Sequence, residues 1–186
     1  MIDAPGGYLD GPLPANVGLG AGTVLSGEKA FSRFFARHPE ALVIGRHCAM
    51  NGAVFAVGKD GRLAIGDHCQ FTCPILLCED SVRIGNYVLI GWNATITDAD
   101  FHPVPPVERM ADAIAISNLP AEGQRHPFAT APVVIDDGAW IGPQALILKG
   151  VHIGAGAFIE PGAVVTRNVP PHCRVQGNPA RVIGEV

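Results

Sequence analysis

From Ile135 to Pro170 the chain reads IDDGAW IGPQAL ILKGVH IGAGAF IEPGAV VTRNVP. Ile135, Ile141, Ile147, Ile153, Ile159 and Val165 lead six unbroken hexads, and four residues after each stands Ala139, Ala145, Val151, Ala157, Ala163 or Val169. A fixed period of six is a repeat architecture, in which each unit buries its apolar face only by stacking on the next. Both columns must therefore face inward. Three flat sides of six residues make a coil of 18, the step from Ile135 to Ile153.

The register returns upstream in IGNYVL and IGWNAT, led by Ile84 and Ile90, and in IGRHCA and IGDHCQ, led by Ile44 and Ile65. The last two carry His47–Cys48 and His68–Cys69 at equivalent places, 21 residues apart. The steps from Ile44 to Ile65 and from Ile65 to Ile84 are 21 and 19 residues, which predicts bulges of three and one. The step from Ile84 to Ile135 is 51, so the coil ejects 33 residues, and no hexad can be read over residues 97–132. A long excursion from a regular scaffold points to function.

The periodicity predicts an all-β chain, a parallel β-helix of about five coils over residues 42–170, with the ejected loop at 97–132 and a tail at 171–186. Residues 1–41 form a flank with one isolated hexad, LGAGTV, led by Leu19. Within it, Phe31, Phe34 and Phe35 of GEKAFSRFFARHPE have the spacing of a short helix.

The composition agrees. Hydrophobic residues make up 48%, with 23 Gly and 16 Pro, a mixture too apolar for disorder and too rich in breakers for a helical bundle. A net charge of −4 with no basic run argues against a nucleic-acid partner. No apolar run approaches the roughly 20 residues that span a bilayer, and the N-terminus lacks the pattern of a signal peptide. A soluble cytoplasmic protein without membrane insertion is expected. The five cysteines are odd in number and sit among apolar residues, so reduced, buried thiols are expected.

With these hexads, the loop opening ITDADFHPVPP, the stretch PVVIDDGAWIG and the ending VTRNVPPHCRVQGNPARVI, the chain resembles the hexapeptide-repeat acyltransferases, over residues 42 to 184. It looks most like the branch of maltose and galactoside O-acetyltransferases. The resemblance implies a left-handed β-helix, a homotrimer with each active site between subunits, acetyl-coenzyme A as donor, and a small hydroxylated acceptor such as a sugar or natural product.

The resemblance places the catalytic histidine at His102, in DFHP. An alcohol needs a base to take its proton as it attacks a thioester, and imidazole, with an ordinary pKa of about 6.5, suits that task. Either Asp98 or Asp100 could hold the other ring nitrogen or bind the acceptor. Galactoside-type members carry an asparagine in the coil before the loop, where this chain has Cys73 or Pro74. Cys73 has no thiolate-promoting motif, so packing or lining the cleft is the role expected of it. Trp140 matches a tryptophan near the cleft, able to cover acceptor or pantetheine. Gly142, Pro161, Thr166, Arg167 and Arg181 match positions along coenzyme A, and the arginines suit its phosphates. His47 and His68 read as structural.

Three other functions fit less of the sequence. N-acylation of an amino sugar or antibiotic needs the same base. A γ-type carbonic anhydrase needs a closely spaced histidine pair with a third histidine one coil away, and the coil of Ile84 and Ile90 has no histidine, so no metal is expected. A non-catalytic scaffold leaves the His102 motif unexplained.

Overall fold

The computed structural model describes residues 12–117 and 127–186. Three parallel sheets form the sides of a prism. The first face stacks Val17–Leu19, Leu42–Ile44, Arg62–Ile65, Ser81–Ile84, Val133–Ile135 and His152–Ile153. The second stacks Val24–Ser26, Ala49–Asn51, Gln70–Thr72, Leu89–Ile90, Trp140–Ile141 and Phe158–Ile159, and continues into a hairpin of Cys173–Gly177 and Ala180–Glu185. Val54–Val57, Ile75–Cys78, Thr95–Thr97, Leu146–Ile147 and Val164–Val165 form the third.

The hexad leaders pair in register. Ile44 lies on Ile65, Ile65 on Ile84, Ile84 on Ile135 and Ile135 on Ile153. The chain thus leaves the stack after Thr97 and returns one coil on. Both inward columns are buried, from Ile135 at 1% exposed to Val169 at 5%. Burying an aliphatic side chain of this size contributes about 1.5–3 kcal/mol, which offsets the ordering of so many short strands.

The stack is longer than the hexad count of about five coils. LGAGTV is not isolated, because Leu19 pairs with Ile44 and Val24 with Ala49, and the C-terminal tail extends the second face. Residues 27–40 form turns at 28–33 and irregular chain at 34–37 instead of a helix. Phe31 stacks on Phe55 with ring centres 5.8 Å apart, closing the end of the core. The one helix among the described residues, α1 (Pro106–Ser117), lies in the ejected loop.

At the edge between the first and second faces the backbone enters the left-handed region at His47, His68 and Tyr87, with φ of 56°, 57° and 58°. Their rings form a column, His47 on His68 and His68 on Tyr87, each at 5.2 Å. Beside it the Asp67 carboxylate accepts the backbone N–H and guanidinium of Arg46, and Asp137 accepts the backbone N–H of Asn86. Arg46 holds the Asp67 carboxyl below its ordinary range, and the Asn86 backbone N–H does the same for Asp137. Cys48, Cys69 and Cys78 are buried, Cys173 is half-buried and Cys73 is exposed, so burial holds for only three of the five. Burial pushes the Cys69 thiol up to about 12.

Candidate active site

Asp98 opens the ejected loop at the edge between the third and first faces. It is fully buried, and its carboxylate accepts the backbone N–H groups of Glu79, Asp80 and Ser81 at 2.8, 2.8 and 2.7 Å. These belong to the turn of the preceding coil, so Asp98 ties the loop to the scaffold and its oxygens are turned away from any acceptor. The loop closes as the Ala131 N–H donates to the Asp98 carbonyl and the Asp100 N–H to Ala129. The Asp100 side chain pairs with Lys149 at 3.1 Å. Neither aspartate takes the His102 ring.

The ring is held by Asp112. His102 Nδ1 lies 2.8 Å from Asp112 Oδ2, with the carboxylate fully buried and the imidazole 48% exposed. Helix α1 starts on Pro106, a residue suited to the first helical position because its missing N–H would have no partner there, and carries Glu108 in its first turn. Asp112 and Ile116 are one turn apart and so share a face. Phe101 takes a φ of 62°, a conformation that costs an L-residue about 1–2 kcal/mol, immediately before His102. With Asp112 ionised, Nδ1–H donates to it and Nε2 keeps a free lone pair.

His102 opens onto a cleft of about 350 Å³ lined also by Arg33, Leu77, Phe101 and Ile116. The other expected residues lie elsewhere on the monomer. Cys73, at φ 49°, sits exposed at the turn between second and third faces, with its sulfur over Gly52. It neither packs in the core nor lines the His102 cleft. Trp140 projects from the second face into a cleft of about 270 Å³ with Gln70, Thr72, Leu89, Trp92 and Pro143, stacked on Phe158 at 4.4 Å. Gly142 and Pro161 meet on successive coils at one edge, where a Cβ on Gly142 would come within 2.7 Å of the Pro161 nitrogen. Arg167 and Arg181 share a cleft of about 160 Å³ with Asn168 and Ala180. Thr166, exposed, adjoins Arg167.

Asp112 and Arg33 escaped the sequence reading. An acid within MADAIAIS signals a polar group on a helix, but nothing in the spacing aims it at His102. Arg33 lies among the phenylalanines that suggested a helix. Among the described residues no group of three or more His, Cys, Asp or Glu side chains is placed to hold a metal ion. No helix among them is long and apolar enough to cross a membrane.

Residues 132–167 match the family model for the bacterial transferase hexapeptide (six repeats). A galactoside O-acetyltransferase of Lactococcus lactis subsp. lactis (strain IL1403) is 28% identical over 141 residues, covering 75% of this chain and 60% of that relative. The chain thus spans less than two thirds of that relative's length. A 2,3,4,5-tetrahydropyridine-2,6-dicarboxylate N-acetyltransferase of Staphylococcus aureus (strain JH9) is 46% identical over 61 residues, 33% of this chain and 26% of the relative. A solved structure of a hexapeptide-repeat containing acetyltransferase from Vibrio cholerae O1 biovar eltor, complexed with acetyl coenzyme A, matches with a TM-score of 0.56 at 27% identity, covering 73% of this chain and 68% of that one.

Proposed function

We propose that this chain, a protein of the bacterial transferase hexapeptide-repeat family, moves an acetyl group from acetyl-coenzyme A to a hydroxyl of a small acceptor, with His102 as general base. The observation that carries the reading is the His102–Asp112 pair, an imidazole with one nitrogen held by a buried carboxylate and the other free over a cleft. The donor supplies an activated thioester. Nε2 takes the proton of the acceptor hydroxyl as its oxygen bonds to the thioester carbon, and returns it to the sulfur as the carbon–sulfur bond breaks. Asp112 stabilises the imidazolium in between. No acyl-enzyme is needed.

Arg167 and Arg181, in one cleft, fit the phosphates of coenzyme A by charge. Their double alanine variant should bind coenzyme A more weakly by about 1.5–3 kcal/mol per charged hydrogen bond lost, read by titration calorimetry. The His102, Trp140 and arginine clefts have different linings on one chain. A homotrimer that docks each loop against a neighbour's coils would bring them together, and would cover the exposed Tyr87, Leu89, Trp92 and Trp140. Light scattering should return a mass near three chains of 19.4 kDa, and a mass of one chain would defeat the assembly.

The test of the reaction is release of free thiol from acetyl-coenzyme A across a panel of alcohols and amines. His102→Ala should lower turnover at least about 100-fold while sparing coenzyme A affinity, the usual range for a general base being 100 to 10,000-fold. Near-normal turnover in that variant would place the chemistry elsewhere. The local likeness to an N-acetyltransferase favours amine acceptors as the second reading, and the panel separates the two.

A further inference from the structure

Among the described residues, the cleft beside His102 has one cation and an otherwise apolar wall. Leu77 comes from the third face, Phe101 from the loop, Ile116 from α1, and Arg33 from the turns of residues 27–40. These turns are fixed to the scaffold, because the Phe35 N–H donates to Val57 at 2.8 Å and the Arg37 N–H to Lys59 at 3.0 Å. Arg33 is exposed and makes no hydrogen bond or ion pair among the described residues. Three aspartates around the ejected loop are already engaged. Asp112 holds His102, Asp98 holds three N–H groups, and Asp100 holds Lys149. Among the described residues no carboxylate lines this cleft, and the guanidinium is its one lining cation.

Four residues further along the same segment, Arg37, His38, Lys59, Asp60 and Arg62 line a second depression of about 290 Å³, three cations against one carboxylate. On a chain of net charge −4, the described lining of this depression is basic. Such a field raises the local concentration of an anion and steers it inward.

We infer that the acceptor is a small alcohol with an apolar body and a carboxylate, and that Arg33 binds the carboxylate while the body lies on Leu77, Phe101 and Ile116 with its hydroxyl at His102 Nε2. The planar guanidinium suits a carboxylate because it offers two parallel N–H donors. The cleft volume, near the lower end of the range of about 300–1,000 Å³ for small-molecule sites, suits a single ring. Arg33 is a specificity residue, and this assignment rests on the reading of His102 as base.

The probes are 4-(hydroxymethyl)benzoate and 4-(hydroxymethyl)benzamide, which share a shape and differ in charge. Calorimetry and the His102 ring resonances report binding without requiring turnover. The benzoate should bind the full chain at least about tenfold more tightly than the benzamide, Arg33→Gln should remove that difference, and Arg33→Lys should keep part of it. Coenzyme A affinity should be the same in all three proteins. Equal affinity for the two probes, no binding of either at millimolar concentration, an unchanged preference in Arg33→Gln, or a loss of coenzyme A affinity in its place would each overturn the inference. Charge-selective binding that depends on Arg33, with no thiol release from any alcohol or amine, would instead overturn acyl transfer and leave the anion site standing.

Discussion

Asp112→Asn tests the pair on which the proposed chemistry depends. The wild-type carboxylate is fully buried and its Oδ2 lies 2.8 Å from His102 Nδ1. A hydrogen bond to a charged group contributes about 1.5–3 kcal/mol. If the bond strengthens only as the imidazole becomes charged, its loss alone lowers turnover about 10- to 150-fold, at about 1.36 kcal/mol per factor of ten. The amide adds a second penalty, because its NH₂ can donate to Nδ1 and so select the tautomer in which Nε2 carries the proton and cannot act as base. A fall of about 100-fold or more is therefore expected in kcat, with little change in KM for the donor. The assay is thiol release under saturating acetyl-coenzyme A, paired with nitrogen NMR of the ring, which should show proton occupancy moving from Nδ1 to Nε2. Asp100→Asn is the control, since it breaks only the partly exposed pair with Lys149, worth at most about 1 kcal/mol. Wild-type turnover in Asp112→Asn with the ring tautomer demonstrably switched would refute the base assignment.

Asp98→Ala strands three N–H groups of a buried turn, and thermal or denaturant unfolding should show a loss of at least about 3 kcal/mol, whereas a loss under 1 kcal/mol would mean that water replaces the carboxylate. His68→Ala removes two ring stacks and should cost about 1–2 kcal/mol in stability while leaving turnover within twofold. A disulfide-exchange reagent at pH 8 should modify Cys73 first and leave Cys48, Cys69 and Cys78 untouched until the protein unfolds, a pattern that Cys73→Ser should erase. The lowered carboxyls of Asp67 and Asp137 stabilise the fold above their ordinary value of 3.8 and lose that contribution as pH falls through the lower folded values. Circular-dichroism melts should therefore show stability dropping below about pH 4, less steeply in Asp137→Asn.

The coil follows from residue spacing alone. Six leaders at a strict period leave no other way to bury Ile135 through Val165, and the 51-residue step from Ile84 to Ile135 required a coil with an ejected loop, which their direct pairing matches. The spacing also separated the stacked histidines from the loop histidine, since His47 and His68 share a register and His102 has none. The first coil was hard to read because only Leu19 leads a recognisable hexad there, while its third side is turns closed by Phe31 against Phe55. Which charges meet is set by the folded chain. Asp98, Asp100 and Asp112 are alike on paper, yet the first is buried under three N–H groups, the second reaches Lys149, and the third, ten residues from His102, takes its ring because a helix turns one face to the cleft. Arg33 and His102 are 69 residues apart in the chain, yet they line one cleft together with Leu77. Periodic burial is a local, repeated property that composition and spacing can carry, whereas the pairing of single charges depends on the path of a loop that has no period.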